Sequence, residues 1–277
     1  MPTIADKRLA FRALHERGCF VLPNPWDIGS ARYLQSLGFK ALATTSSGFA
    51  WSQGHPDNWV PREAVLAHCR ELVAATDLPV NCDFEAGFAD DPAGVAESVR
   101  LCVETGVAGL SIEDSIDHKL LPFDDAVVRL KAAREAIDKT GGETLLVGRA
   151  ECFLCGVPDL DEAIRRLKAY AAAGADCLYA PGIRTAEQIK AVVEAVAPKP
   201  VNVLVGYASD LAVADYAAMG VRRISIGGAM ARAAWGGFIR AARALAEGSF
   251  TGLADATPHP EINGFFRDDW QRRVPKP

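Results

Sequence analysis

Eight short apolar segments recur along this chain, and a longer helical pattern follows each of them. The segments are rich in β-branched residues and apolar throughout, which is typical of parallel strands buried on both faces. Strands are predicted at 19–22, 41–45, 80–83, 109–113, 145–149, 177–180, 201–205 and 223–227. Helices are predicted at 29–37, 61–76, 92–105, 124–139, 160–173, 186–196, 211–219 and 230–247.

Eight unbroken strand–helix units favour an α/β fold of the closed (β/α)8 TIM barrel type. The length of 277 residues suits a single barrel, since such barrels have about 250 residues. An open doubly wound sheet is the alternative, but it should carry a G-x-G-x-x-G turn after its first strand, and residues 23–29 do not supply one. We therefore predict one domain over residues 1–277, with a C-terminal extension after about residue 248.

Composition excludes several classes of function. The net charge is −5 and no run of five basic residues occurs, so we expect no nucleic-acid partner. No uncharged apolar stretch reaches the ~18 residues of a transmembrane helix, so we expect no membrane partner. The seven cysteines are scattered and odd in number, which predicts reduced thiols and a cytoplasmic location. Cys152 and Cys155 form a C-x-x-C, but neither a second pair nor a helix start supports a zinc or redox site.

Two predicted strands end in pairs of acids, Asp83 with Glu85 and Glu113 with Asp114. Carboxylates at the carboxyl ends of adjacent parallel strands would repel one another unless a cation lay among them. Asp83, Glu85 and Glu113 are spaced to surround one Mg²⁺ or Mn²⁺, and no histidine is placed to favour zinc. The alternative is that these acids cap helices or pair with Arg149.

Other polar residues follow the predicted strands. Arg149 ends the fifth strand, where its guanidinium can bind a substrate carboxylate with two hydrogen bonds; a salt bridge to Glu151 or Glu113 is the alternative. A loop after the second strand offers hydroxyls and backbone N–H groups to an anion, although such residues also fill ordinary turns. Ser46, Ser47 and Gly48 in this loop are candidates for substrate binding, and so are Trp26, Asp83 and Asn202 at the strand ends. No lysine ends a core strand, which disfavours imine chemistry.

Seven stretches of the chain resemble the superfamily of isocitrate lyase and phosphoenolpyruvate mutase. They are residues 24–32, 43–48, 54–57, 83–87, 109–114, 148–149 and 223–227. The resemblance implies a (β/α)8 barrel, a Mg²⁺ ion and a substrate of the 2-oxo acid type. It also implies that the last helices are exchanged between subunits, and so a homodimer or homotetramer.

The resemblance assigns roles to individual residues. Asp83 is similar to the metal ligand of the family, and Glu85 and Glu113 to the acids that hold the waters of the metal. Asp57 is similar to an acid that contacts this water shell or the substrate. The carboxylate-binding loop and the residue that grips the substrate correspond to Ser46, Ser47, Gly48 and Arg149.

One segment departs from the lyase members of the superfamily. Those lyases carry a Lys-Lys/Arg-Cys-Gly-His loop after the fourth strand, and its cysteine is the catalytic acid. Residues 115–122 contain no cysteine, and only His118 and Lys119 offer a substitute acid. We therefore expect a Mg²⁺-dependent carbon–carbon lyase that acts through an enolate, similar to oxaloacetate decarboxylase, with Asp57, Glu113 and Arg149 as catalytic residues.

Oxaloacetate, pyruvate or 2-oxoglutarate are the expected ligands. Three alternatives remain open: cleavage of a hydroxy acid as in methylisocitrate or isocitrate lyase, C–P chemistry as in phosphoenolpyruvate mutase or phosphonopyruvate hydrolase, and binding of a 2-oxo acid without turnover.

Overall fold

A computed structural model of the protein describes residues 2–273. The strands are Phe20–Leu22 (β1), Leu42–Ala43 (β2), Val80–Asp83 (β3), Gly109–Glu113 (β4), Ser115–Ile116 (β5), Lys119–Leu120 (β6), Leu145–Arg149 (β7), Cys177–Tyr179 (β8), Val201–Leu204 (β9) and Arg223–Ser225 (β10). The helices are Ile4–Glu16 (α1), Ile28–Ser36 (α2), Ser46–Ser52 (α3), Arg62–Ala75 (α4), Pro92–Glu104 (α5), Phe123–Lys139 (α6), Leu160–Ala172 (α7), Ala186–Val196 (α8), Val213–Ala218 (α9), Ala229–Ala246 (α10) and His259–Arg273 (α11). A 3₁₀ turn spans Thr251–Leu253.

Eight of the strands form one parallel sheet in the order β1-β10-β9-β8-β7-β4-β3-β2. Strands β1 and β2, which lie at the two ends of this order, are joined by hydrogen bonds just beyond their paired residues. The backbone N–H of Ala43 donates to the carbonyl of Pro23 at 3.0 Å, and the Asn24 amide donates to the carbonyl of Thr44 at 2.9 Å. The sheet is thus a nearly closed barrel surrounded by helices, and the predicted (β/α)8 TIM barrel is confirmed.

Among the described residues, the structure contains five elements that the sequence did not predict. Helix α1 precedes the first strand, and its start is fixed by Thr3 and Asp6, which bond each other's backbone N–H groups. The predicted loop at Ser46–Gly48 is wrong, because these residues begin α3, and the Thr45 hydroxyl caps that helix by accepting from the Gly48 N–H at 3.3 Å. Strands β5 and β6 form a hairpin after β4, and α11 lies in the polar tail.

The chain divides into two compact units, which within the described residues span 2–229 and 230–273. The first unit contains every strand of the barrel. The second contains α11 and all of α10 except its first residue, so it begins earlier than the extension predicted after residue 248. A single domain over the whole chain stays a prediction, as does helix exchange between subunits. Between residues 2 and 273, every helix is too short or too polar for a membrane span.

At the amino-terminal end of β4, the barrel is packed too tightly for any residue larger than glycine at position 109. A Cβ atom there would lie 2.7 Å from both Asn81 Oδ1 and Phe11 Cε1. We expect Gly109→Ala to lower the free energy of unfolding by about 1–3 kcal/mol, because overpacking displaces neighbours; urea denaturation measures this. Gly264→Ala in α11, where a Cβ meets no atom within 4 Å, is the control and should not destabilise. Equal stability of the Gly109→Ala protein and the unsubstituted protein would contradict this account of the packing.

Candidate active site

A cavity of about 170 Å³ lies at the carboxyl ends of the barrel strands, where barrel enzymes carry their active sites. It contains two carboxylates, several hydroxyls and two guanidinium groups. Its lining includes the predicted residues Ser46, Ser47, Asp57, Asp83 and Arg149, together with Asn24, Asn81, Ser111, Tyr179, Arg223 and Ser225. A neighbouring cavity is lined by Glu85 and Glu113 with Asn58, Ser115 and Asp117.

Asp83 is held at the end of β3 by polar contacts from adjacent strands. Its backbone N–H donates to the Thr44 hydroxyl at 2.8 Å. Its carboxylate accepts from the Ser46 backbone N–H at 3.1 Å and from the Ser111 hydroxyl at 3.4 Å. Because Thr44 and Ser46 follow β2 and Ser111 lies in β4, the position of the carboxylate is set by the elements on both sides of β3.

Arg149 lies among three carboxylates. Its Nη1 contacts Asp83 and lies 3.0 Å from Glu113 Oε2, and its Nη2 lies 2.8 Å from Glu151 Oε1. Both salt bridges considered as the alternative from sequence are therefore present, with Asp83 as a third partner. Burial acts to lower the pKa of Arg149, but the three negative charges raise it well above its ordinary value. The guanidinium also lies over the Tyr179 ring, 5.2 Å from its centre.

The other acids of the site have raised pKa values in spite of the nearby charge of Arg149. Burial, followed by the charges of Asp83 and Asp57, raises the pKa of Glu85 from 4.5 to about 8. Burial raises the pKa of Glu113 well above its ordinary value, although Arg149 opposes the shift. The pKa of Asp57 is raised by burial and then by Asp83. All three pKa values are raised, so a further cation beside these carboxyl groups would favour their charged forms.

These residues fit a hard divalent cation that keeps much of its water. The donors are carboxylate and hydroxyl oxygens, which Mg²⁺ and Mn²⁺ prefer. Within residues 2–273, no three His, Cys, Asp or Glu side chains converge closely enough to ligate one ion directly. Asp83 as a direct ligand, with Glu85 and Glu113 acting through water, is the arrangement that agrees with both observations.

The backbone at two points of the site is unusual. Glu85 has a φ of +46°, a left-handed conformation that side chains seldom adopt. Asp117 and His118 form the turn of the β5–β6 hairpin with φ values of +50° and +59°. Positive φ at both hairpin positions is the favoured geometry of a two-residue turn. Glu85 lines the cavity that contains Glu113, and strained residues often lie at functional sites.

Asp114 follows Glu113 directly, but its side chain is buried and hydrogen-bonded within the protein. It is 2% exposed, and its carboxylate accepts from the Glu151 N–H at 2.7 Å. The same carboxylate accepts from Arg166 at 2.9 Å and from the Tyr170 hydroxyl at 2.5 Å. With every oxygen bonded inside the protein, Asp114 fixes β4 against the loop after β7 and the helix α7.

Three of the predicted substrate-binding residues do not line either cavity. Trp26 is half-buried after β1, and its backbone N–H donates to Ser30. Gly48 is buried inside α3. Asn202 is fully buried in β9, where its side chain contacts Ser225 and Arg223.

Sequence reasoning missed three polar residues that line the cavity, Asn81, Ser111 and Arg223. A signal was present, because alternate strand residues face the same side. Asn81 is two positions before Asp83, and Arg223 is two positions before Ser225. Both therefore share the inward face with residues at the strand ends.

The raised pKa of Glu85 makes stability depend on pH. Since the pKa is about 8 in the folded protein against an ordinary 4.5, the folded state holds this proton more tightly. Stability is therefore lost as the pH rises between the two values. We expect metal-free protein to have a lower Tm at about pH 8 than at about pH 6, and Glu85→Gln to reduce this difference. Glu135→Gln, at an exposed position of α6, should leave it unchanged; an identical pH profile for both variants would contradict the assignment.

Comparison with known proteins gives matches over nearly the whole chain. The phosphoenolpyruvate phosphomutase family model matches residues 11–246. A solved structure from Burkholderia cenocepacia J2315, provisionally described as a lyase/mutase, is 48% identical, with a TM-score of 0.91 over 95% of this chain and 97% of that one.

Two curated relatives cover almost the same span. An uncharacterized protein of Mycobacterium tuberculosis is 32% identical over 94% of this chain and 97% of its own length. An oxaloacetate decarboxylase of Rhodopseudomonas palustris is 31% identical over 91% of this chain and 90% of its own length. The chain therefore belongs to the phosphoenolpyruvate phosphomutase family, in the superfamily of lyases and mutases that its sequence motifs predicted.

Proposed function

We propose that this protein is a Mg²⁺-dependent lyase that decarboxylates a small 2-oxo acid, with oxaloacetate as the candidate substrate. The observation that carries the proposal is the excess of buried carboxylates around Asp83, beside a single neutralising arginine, at the mouth of the barrel. Such an excess suits a divalent cation, and a chelating 2-oxo acid suits that cation. The likeness to an oxaloacetate decarboxylase over most of the chain supports the same substrate class.

Each residue of the site has a part in this proposal. Asp83 binds the ion, and Glu85, Glu113 and Asp57 hold its water shell. When bound, Mg²⁺ supplies positive charge that draws electrons from the keto group of the substrate. Arg149 adds a fixed positive charge where negative charge develops. Ser46 and Ser47 present hydroxyls to a carboxylate of the substrate.

Decarboxylation requires no acid at the leaving group. The C3–C4 bond of oxaloacetate breaks, CO₂ leaves, and the electron pair remains on the three-carbon fragment as an enolate. A proton from water at C3 then yields pyruvate. The β5–β6 hairpin, which contains no cysteine, is compatible with this route because no side chain has to deliver a proton to CO₂.

Cleavage of a longer hydroxy acid is the second candidate, and one contact favours it. Cys155 follows β7 and is half-buried, and Ser115 lies near enough to its thiol to act on its pKa. The Ser115 hydroxyl lies 3.3 Å from Glu113 Oε1. Burial raises the pKa of Cys155, so this thiol stays protonated near neutral pH and is a conceivable acid.

Variants of Asp83 and of Arg149 test the first candidate, decarboxylation. We expect purified protein with Mg²⁺ to convert oxaloacetate to pyruvate, and Asp83→Ala to abolish this turnover while remaining folded. Arg149→Lys should lower kcat/KM by roughly ten- to a thousand-fold, since lysine cannot reproduce the forked hydrogen bonds. Arg165→Lys on the exposed face of α7 is the matched control. Full Mg²⁺-dependent activity in Asp83→Ala would overturn the metal assignment.

Cys155→Ala separates the two candidates. If the reaction is decarboxylation, the variant should keep most of its oxaloacetate activity, and alkylation of accessible thiols should have little effect. Cleavage of methylisocitrate should be weak at most. Fast methylisocitrate cleavage that is lost in Cys155→Ala would establish the hydroxy-acid lyase instead. Cys19→Ala, at the other partly exposed cysteine, is the control.

A further inference from the structure

A second arginine, Arg223, forms part of the floor of the cavity. It begins β10, lies in register with Phe20 of β1 and Asn202 of β9, and is 2% exposed. Its guanidinium lines the same cavity as Asp83 and Arg149. Arg222, the preceding residue, instead donates to the carbonyl of Gly18 at 3.0 Å.

Arg223 has only neutral hydrogen-bond partners among residues 2–273. Its Nε donates to Asn202 Oδ1 at 2.8 Å, and its Nη1 donates to Asn81 Oδ1 at 3.4 Å. Within the same described residues, Nη2 has no hydrogen bond and the side chain has no carboxylate in salt-bridge distance. In Arg149, by contrast, every guanidinium nitrogen contacts a carboxylate.

The titratable groups around Arg223 do not supply a compensating negative charge. Burial, and then the charge of Arg223, lowers the pKa of His15 to about 3, so this histidine is neutral. Burial raises the pKa of Tyr179 to about 12 and raises that of Cys177. Both therefore remain protonated and uncharged near neutral pH. A buried guanidinium among neutral groups is costly unless an anion comes to it.

We propose that Arg223 binds the carboxylate that the 2-oxo acid substrate retains, and so acts as the anchor of the substrate at the floor of the cavity. The free Nη2 offers a charge-assisted hydrogen bond to a carboxylate oxygen. Arg149, already paired with three acids, then acts on the reacting end beside Asp83. The retained carboxylate is the relevant one, since a cation held against the leaving carboxylate would oppose its conversion to neutral CO₂. This inference rests on the proposed function, because it takes the substrate class from it.

Asn202 provides a way to neutralise Arg223 without removing it. Asn202→Asp is nearly isosteric and places a carboxylate at the atom that now accepts from Arg223 Nε. The Ser225 hydroxyl, which accepts from the Asn202 amide at 2.9 Å, can rotate to donate to that carboxylate. The hydrogen bonds are thus preserved while the cation gains an internal counter-charge.

Binding of pyruvate in the presence of Mg²⁺, measured by isothermal titration calorimetry, tests the proposal without turnover. We expect Arg223→Gln and Asn202→Asp each to weaken pyruvate binding at least about ten-fold, or about 1.4 kcal/mol, and Arg222→Gln to leave it unchanged. Methyl pyruvate, which lacks the charge, should bind weakly to every variant. In oxaloacetate turnover, Arg223→Gln should raise KM more than it lowers kcat, because the carboxylate is bound before and during the reaction.

Thermal melting shows whether each variant is folded. If Arg223→Gln does not fold, the pyruvate affinity of Asn202→Asp is the measurement that tests the role of Arg223. Pyruvate affinity that is the same in Asn202→Asp and in the unsubstituted protein would overturn the role of Arg223. Arg223-dependent pyruvate binding in a protein that never turns over oxaloacetate would instead overturn the proposed decarboxylation and leave the anchor in place. Absence of pyruvate binding in the unsubstituted protein would remove both.

Discussion

The guanidinium of Arg149 is the interaction on which the mouth of the barrel depends. Three strand ends bring Asp83, Glu113 and Glu151 to within contact of it, and these carboxylates would otherwise repel one another in a partly dry site. The pKa of Glu85 beside them is raised to about 8, first by burial and then by the charges of Asp83 and Asp57, although Arg149 opposes the shift. Further positive charge would lower these raised pKa values, and the proposed function assigns that charge to a divalent cation.

The two arginines of the cavity show how surroundings decide what one side chain does. Arg149 lies among carboxylates, so it organises the acids and gives a fixed positive field. Arg223 lies among amides and protonated groups, so its charge remains available to an incoming anion. Together they divide the proposed substrate between a reacting end near Asp83 and an anchored end at the floor.

The floor itself depends on the tight packing beneath the cavity. Phe11 of α1 reaches the inner face of β4, where only glycine fits at position 109. Asn81 shares that contact and also accepts from Arg223. The helix that precedes the first strand and the polar residues of the cavity floor therefore meet at Gly109.

The sequence by itself determined the barrel, because its apolar strands and intervening helices repeat without interruption and leave few other ways to bury both faces of a parallel sheet. It also determined which strand ends carry acids, so Asp83, Glu85 and Glu113 were predicted to lie near one another. Only the tertiary structure decided how charge is shared among them. The roles of Arg149 and Asp114 depend on partners far along the chain, such as Asp83 and Arg166. Asn202 was predicted to bind substrate, and Arg223 was predicted only as part of a buried strand. Their contact exists only once β9 and β10 pair, since local periodicity gives the face of a residue but not its neighbour.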